Sequence, residues 1–125
     1  MTALSFVALA LAGGIGAACR LLLDGVISSR RRGALPWGTI VINVTGSFLL
    51  GLVTGLATAT VLPETWQLVV GTGFLGGYTT FSTASFETVR LVQERKHLAA
   101  VLTGLGTLVV TTALAGLGLW LGSLV

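Results

Sequence analysis

The sequence predicts an all-α integral membrane protein with four transmembrane helices. Hydrophobic residues make up 54% of the 125 residues and charged residues 9%, whereas soluble proteins carry about 25% charged residues. Mean hydropathy is +0.97. Four stretches lack any charge: 1–19, 33–63, 65–86 and 98–125. Each can cross a bilayer, because about 20 apolar residues at about 1.5 Å per residue span the hydrocarbon core.

The breaks between these stretches place the elements. We expect helices at about 3–27, 37–60, 65–93 and 97–122. The breaks are the basic run Arg30-Arg31-Arg32, the pair Pro63-Glu64 and the run Glu94-Arg95-Lys96. Because the connections are short, residues 1–125 form a single transmembrane domain without a soluble part.

Charge predicts the topology and excludes several classes of function. Seven Lys and Arg residues face four Asp and Glu residues, too few to form a nucleic-acid surface. One cysteine and one histidine cannot form an internal disulfide or a Cys/His zinc site. No enzyme constellation is recognisable.

Every Lys and Arg except Arg20 lies in or beside the first and third connections, so these face the cytoplasm and both termini lie outside. We expect a multi-pass protein of the cell (inner or plasma) membrane.

The third helix contains a segment that is a poor helix interior. Gly76-Gly77 is followed by Thr79-Thr80; adjacent glycines favour unwinding, and threonine hydroxyls compete for backbone groups. We expect a break near 76–80. Unwound backbone inside a membrane is tolerated only within protein or along a wet cavity, and freed carbonyls suit Na⁺. A packing kink without an ion is the alternative.

Polar residues within the predicted spans are candidates for an ion pathway. They are Thr39 and Asn43 in the second helix, Ser82 after the break, and Thr103, Thr107 and Thr111 in the fourth helix. The last three share one helical face, where their hydroxyls form a ladder of donors. Bonding to the backbone at i−4 is the alternative for such threonines. Two charges also lie in or near spans, Arg20 and Glu87. Arg20 could draw anions into a vestibule, and Glu87 could bind a cation or proton or lie beside an anion route. Anchoring at the interface is the alternative for both.

Small residues predict close helix association. The chain has 18 glycines, and Ser47, Gly51 and Gly55 recur at every fourth position along the second helix. Such stripes allow the backbone contact that drives association in lipid. Four helices with this much small-residue surface form a thin bundle, so a dimer is expected.

Three motifs together resemble the Fluc/CrcB fluoride channels. They are Gly13-Gly14-x-Gly16-x-x-x-Arg20, Gly38-Thr39-x-x-x-Asn43-x-x-Gly46-Ser47-Phe48-x-x-Gly51, and Gly76-Gly77-x-Thr79-Thr80-Phe81-Ser82-Thr83. The resemblance covers nearly the whole chain in order and spacing, while the fourth helix is similar only in character.

The resemblance implies a passive, fluoride-selective exporter that is an antiparallel dimer with a structural, non-transported Na⁺ at its centre. Backbone carbonyls of Gly76 and Thr79 would hold Na⁺. Phe81 matches a pore phenylalanine and Asn43 the pore amide. Further matches are Thr39, Ser82 and Glu87 at the vestibule end, Arg20 as the motif arginine, and Thr103, Thr107 and Thr111 as the polar track. The chain departs from the family pattern at Ala84, where a second phenylalanine is usual. Phe86 does not replace it, because it lies about 200° further round the helix.

Two other functions fit the length, and the composition of the dimer stays open. A small four-helix drug/proton antiporter needs a deep carboxylate, which the first helix lacks before Asp24. A non-transporting membrane assembly subunit explains the glycines but not the break together with Asn43. An antiparallel homodimer needs a chain that inserts both ways, and the uneven charge opposes this. We therefore expect an oppositely oriented related chain as partner, although pairing with itself stays open.

Overall fold

The computed structural model describes all residues 1–125 as helices joined by short connections, which confirms the all-helical prediction. The helices are α1 (Ala3–Arg30), α2 (Trp37–Thr58), α3 (Glu64–Trp66), α4 (Gly76–Tyr78), α5 (Ser82–Gln93), α6 (His97–Val101) and α7 (Thr107–Ser123). Two π-helical segments complete the chain, a first at Gln67–Leu75 and a second at Leu102–Gly106.

Three helices are long and apolar enough to cross a membrane. They are Ala3–Arg30, Trp37–Thr58 and His97–Ser123, the last running continuously from α6 through the second π-helical segment to α7. The predicted span 65–93 is not among them. It is divided between Tyr78 and Ser82 into two shorter helical parts.

The interruption begins later than the glycines suggest. Gly76 and Gly77 remain helical, and Thr79 is the first residue to leave the helix, with φ −79° and ψ 158°. The carbonyl of Leu75 accepts hydrogen bonds from both the amide and the hydroxyl of Thr79, each at 2.9 Å. The threonine side chain therefore caps the carbonyl end of this helical turn, and the adjacent glycines do not unwind it.

Glycines bring the helices into backbone contact. A Cβ on Gly51 would meet the Ala115 carbonyl, and one on Gly118 would meet the Phe48 carbonyl, so α2 and α7 touch through both backbones. On the other side of the molecule, Gly77 lies against the Gly13 backbone of α1. The second helix is thus held against α7, while α1 is held against the first half of the interrupted helix.

Large apolar side chains cover the outside of the bundle rather than its interior. Ile42, Leu75, Leu91 and Ala100 are the buried hydrophobic residues, whereas Leu4, Leu22 and Leu98 are more than 70% exposed. This is the arrangement expected of helices that pack through small residues and present their apolar side chains to lipid.

Candidate functional site

Asn43 of α2 holds the interrupted part of the third helix. Its Nδ2 donates to the carbonyl oxygen of Thr80 at 2.8 Å, and its Oδ1 accepts from the Thr80 amide at 2.8 Å. One buried side-chain amide therefore satisfies both backbone groups of a residue that lies outside any helix. This pairing removes the cost of burying an unwound peptide, which is high in an apolar medium.

The carbonyl oxygens of Gly76 and Thr79 lose their helical donors at this break. In a continuous α-helix, Thr80 N–H would donate to Gly76 and Thr83 N–H to Thr79. The Thr80 amide instead binds Asn43 Oδ1, and the Thr83 amide binds Thr80 Oγ1 at 3.1 Å. No other backbone amide donates to the Thr79 carbonyl. A Cβ at Gly76 would also meet no atom within 4 Å, so the surface beside Gly76 is open.

Arg20 reaches the same region from α1. Its Nε donates to the carbonyl oxygen of Gly77 at 3.2 Å. That oxygen would accept from Phe81 N–H in a continuous helix, and no backbone amide outside the helices replaces it. The guanidinium thus satisfies a carbonyl that the break exposes, which favours a structural role for this charge.

A cavity of about 470 Å³ opens beside the break. Nine of its 14 lining residues carry a hydroxyl or amide side chain, and they come from α2, the break, α5 and the helix His97–Ser123. The lining residues are Asn43, Ser47, Thr79, Thr80, Phe81, Ala84, Ser85, Thr88, Val89, Thr103, Gly104, Thr107, Leu108 and Thr111. Hydroxyl and amide groups can donate hydrogen bonds to a ligand in this space where they are not already bonded within the protein.

Thr103, Thr107 and Thr111 of the helix His97–Ser123 all line this cavity, but their hydroxyls have different hydrogen-bond partners. Thr111 Oγ1 donates to the Thr107 carbonyl at 2.7 Å, which is the local backbone bond. Thr103 is 2% exposed, and its Oγ1 has no hydrogen-bond partner. An unpaired buried hydroxyl is costly, so Thr103 has donor capacity to offer to a ligand.

Thr39 and Glu87 form a separate pair near the basic connections. Thr39 Oγ1 donates to Glu87 Oε1 at 2.8 Å, joining the start of α2 to α5. The second carboxylate oxygen, Oε2, is buried without a partner. Neither residue lines the cavity.

The structure brings together some of the predicted residues and leaves others apart. Asn43, Phe81, Thr79 and the three threonines surround one cavity. Phe81 lies at its rim with 86% of its surface exposed. Ser82 is exposed, and its hydroxyl lies 3.4 Å from Thr80 Oγ1. Ser82, Gly76 and Arg20 do not line the cavity.

Thr80, which Asn43 holds, was noted from the sequence only as part of the break, and Thr88 of α5 was not singled out; both line the cavity. Ser85 and Thr88 lie at i and i+3 on α5, which is the signal that could have revealed this second hydroxyl-bearing wall.

The fold and the site define a helical membrane protein with a cavity beside an interrupted helix, lined by apolar residues and by many hydroxyl side chains. Its sequence matches the family described as "CrcB-like protein, Camphor Resistance (CrcB)" over residues 7–119. The chain belongs to this family, as the three sequence motifs indicated.

Relatives match over nearly their whole lengths. The chain is 59% identical over 124 residues to "Fluoride-specific ion channel FluC 1" of Leifsonia xyli subsp. xyli, covering 99% of this chain and 90% of the relative. It is 39% identical to "Fluoride-specific ion channel FluC 2" of Mycobacterium bovis, covering 99% and 95%. It is 43% identical to "Fluoride-specific ion channel FluC 3" of Bifidobacterium longum, covering 90% and 96%. All three names are those of ion channels, in agreement with a protein that is not an enzyme.

Proposed function

We propose that this chain forms a passive, fluoride-selective channel that lowers fluoride in the cytoplasm. The observation that carries the proposal is the cavity lined by Asn43 and the hydroxyl residues, in a chain whose relatives are named fluoride-specific ion channels. No nucleotide-binding motif is required, because a negative interior expels an anion with about 2.3 kcal/mol per charge per 100 mV.

The lining of the cavity matches the needs of fluoride. A small, strongly hydrated anion enters a narrow path only when hydrogen-bond donors replace its water. The unpaired Thr103 hydroxyl is one such donor. The Asn43 amide offers a second N–H, since Nδ2 carries two hydrogens and one is used by Thr80. Phe81 at the rim can present the positive edge of its ring to the anion.

Four lining hydroxyls need rearrangement to serve as donors in this pathway. Thr79, Thr88 and Thr111 each donate to a backbone carbonyl one turn earlier, at 2.7–2.9 Å. Thr80 Oγ1 donates to Thr83 Oγ1 at 3.1 Å. A passing anion would compete with these local bonds, which threonine can exchange by rotation about χ1.

Thr39, Ser82 and Glu87 would form the vestibule at the end of the path that carries the basic connections.

The proposal includes a structural Na⁺ bound by the carbonyls of Gly76 and Thr79. The residues fit a small hard cation, because both oxygens lose the amides that would bind them in a continuous helix. When bound, Na⁺ would neutralise these exposed dipoles and hold the two halves of the interrupted helix in register. It would not be transported.

We also propose that two such chains pair in opposite orientations, with four spans each, the third being the interrupted helix. The exposed positions of Gly76 and Phe81 support a partner at this surface. The uneven distribution of Lys and Arg favours a related chain of opposite orientation over a second copy.

Fluoride release from loaded liposomes, followed with an ion-selective electrode, tests the proposed function. We expect rapid fluoride efflux when a potassium ionophore clamps the voltage, and no efflux from chloride-loaded liposomes. Protein reconstituted alone is compared with protein reconstituted together with the oppositely oriented related chain. Absence of fluoride efflux in both preparations, or equal chloride efflux, would contradict a fluoride-selective channel.

Replacement of sodium tests the structural ion. We expect fluoride efflux to decline slowly after Na⁺ is exchanged for N-methylglucamine, because a structural ion leaves more slowly than the permeant anion. Radioactive sodium should not enter the liposomes during fluoride efflux. Full efflux after prolonged exchange would exclude a structural Na⁺, and stoichiometric sodium uptake would indicate a coupled transporter.

A further inference from the structure

Four consecutive residues at the break are held by four different positions on neighbouring helices. Gly77 is bound by Arg20 of α1 and Thr80 by Asn43 of α2. Between them, Thr79 occupies the space that a Cβ on Gly46 would fill. The remaining residue, Tyr78, has its phenol oxygen 3.0 Å from Thr45 Oγ1 of α2.

The direction of the Tyr78–Thr45 hydrogen bond follows from the other bonds of Thr45. Thr45 Oγ1 also lies 2.7 Å from the Val41 carbonyl and 3.2 Å from the Ile42 carbonyl. Carbonyls only accept, so the single hydroxyl hydrogen of Thr45 is directed to them. Tyr78 therefore donates its phenol hydrogen to Thr45.

The Tyr78 ring is also fixed in place. It stacks on Phe74, one turn earlier, with ring centroids 6.1 Å apart and planes 11° apart. Its other contact is Gly46, where a Cβ would lie 3.1 Å from Tyr78 Cδ1. Because Phe74 and Gly46 contact the ring and Thr45 accepts a hydrogen bond from its hydroxyl, the Tyr78 backbone has little freedom to rotate.

We propose that Tyr78 is a positioning residue for the cation site, acting through Thr45. Tyr78 is the last helical residue before the chain turns to the extended conformation of Thr79. It therefore lies between the two carbonyls, Gly76 and Thr79, that are proposed to hold Na⁺. Fixing Tyr78 to α2 fixes the angle between those carbonyls. This inference rests on the sodium site of the proposed function.

Variants of both partners test the role without disturbing the fold. Tyr78→Phe and Thr45→Val each remove the cross-helix bond and keep the side-chain volume. Thr45→Ser keeps the hydroxyl. Thr54→Val is the matched control, because Thr54 lies on the same helix and its hydroxyl bonds only to the Leu50 carbonyl, at 2.8 Å.

The measurement is the unfolding temperature of each purified variant as a function of sodium concentration, with N-methylglucamine as the replacement. We expect the sodium concentration for half-maximal stabilisation to rise about three- to tenfold in Tyr78→Phe and Thr45→Val, the range that corresponds to one net hydrogen bond. The double variant should equal the single variants. Thr45→Ser and Thr54→Val should behave as wild type.

Amide hydrogen exchange across 76–83 provides the second readout. We expect faster exchange of this segment in Tyr78→Phe at low sodium, and wild-type protection at saturating sodium. Wild-type sodium dependence in Tyr78→Phe and Thr45→Val would overturn the positioning role and leave the sodium site standing. A wild-type protein that sodium does not stabilise would overturn the sodium site and this role together.

Discussion

At the residue scale, Asn43 combines two tasks that a smaller side chain could not. Its amide binds both backbone groups of Thr80 and still faces the cavity. The position of the break and the lining of the path are therefore linked through one side chain.

Asn43→Ala should reduce fluoride efflux at least tenfold. The change leaves the amide and carbonyl of the part-buried Thr80 without their side-chain partners, which destabilises the break, and also removes a donor from the cavity. Efflux from liposomes measures the loss, and gel filtration checks that assembly is kept. Asn43→Asp keeps the acceptor for the Thr80 amide, so it should retain more of the stability than Asn43→Ala. Unchanged efflux in Asn43→Ala would remove this residue from the pathway.

Phe81→Ile should reduce fluoride efflux while leaving stability nearly unchanged. The side chain is 86% exposed, so little packing is lost, but isoleucine lacks the ring edge that can face an anion. Phe86→Ile is the matched control, because Phe86 is also exposed and does not line the cavity. Equal effects of the two substitutions on efflux would show that ring loss at Phe81 is not specific.

At the scale of elements, contact between α2 and α7 depends on glycines at the interface itself. A Cβ on Gly118 would meet the Phe48 carbonyl and come within 2.8 Å of the Leu52 amide nitrogen. A Cβ on Gly116 would meet no atom within 4 Å. Gly118 therefore lies in close backbone contact with α2, whereas Gly116 on the same helix faces open space.

Gly118→Ala should destabilise the protein by about 1–3 kcal/mol, because the two backbones must separate to admit the methyl group. Gly116→Ala should be neutral or slightly stabilising, since alanine is the better helix former. Chemical unfolding in detergent measures both. Equal stability of the two variants would show that the helices can separate without cost.

The interrupted helix is the element that gives the cavity its chemistry. Thr79 to Phe81 leave the helix, and the amides of Thr80 and Thr83 turn to side-chain acceptors. The hydroxyl-bearing face of α5 then meets the threonines of the helix His97–Ser123 around one space. In a continuous helix, the Thr80 amide and carbonyl would bond within the helix, and the Asn43 side chain would lose both of these partners.

At the scale of the whole molecule, the basic connections lie at one end of the bundle. Thr39, at the start of α2, contacts Glu87 of α5, one turn before Arg90. The guanidinium carbon (Cζ) of Arg31 also lies 5.6 Å from the centroid of the Trp37 ring, as expected of groups at a membrane interface. The pairs of Glu94 with Arg90 and Lys96 lie at this same end.

A reporter fused after Val125 should give a signal on one side of the membrane, outside the cytoplasm. The reason is the positive-inside bias of the first and third connections. Alkaline phosphatase and green fluorescent protein fusions compared in the same cells measure the orientation. Mixed activity of both reporters would contradict a single orientation and favour an antiparallel pair of identical chains.

Several residues that meet at the cavity were named from the sequence. Asn43 was named because its amide is costly in lipid, the break because its glycines and threonines are poor helix formers, and Thr103, Thr107 and Thr111 because they share one helical face. The family match over 7–119 agrees with the motifs that contain Asn43 and the break. The backbone leaves the helix at Thr79, late in the expected region 76–80, because of the threonine cap on Leu75, whose geometry composition does not reveal. The vestibule, sodium and dimer assignments stay predictions.

Composition and charge by themselves determined that this chain is helical and suited to a membrane, because apolar length and backbone satisfaction leave few other structures. The tertiary structure alone decided which polar groups meet. The pairing of Asn43 with Thr80, of Arg20 with Gly77 and of Tyr78 with Thr45 joins residues 33 to 57 positions apart. Such contacts depend on how closely glycines let the helices approach, and no local pattern encodes that distance.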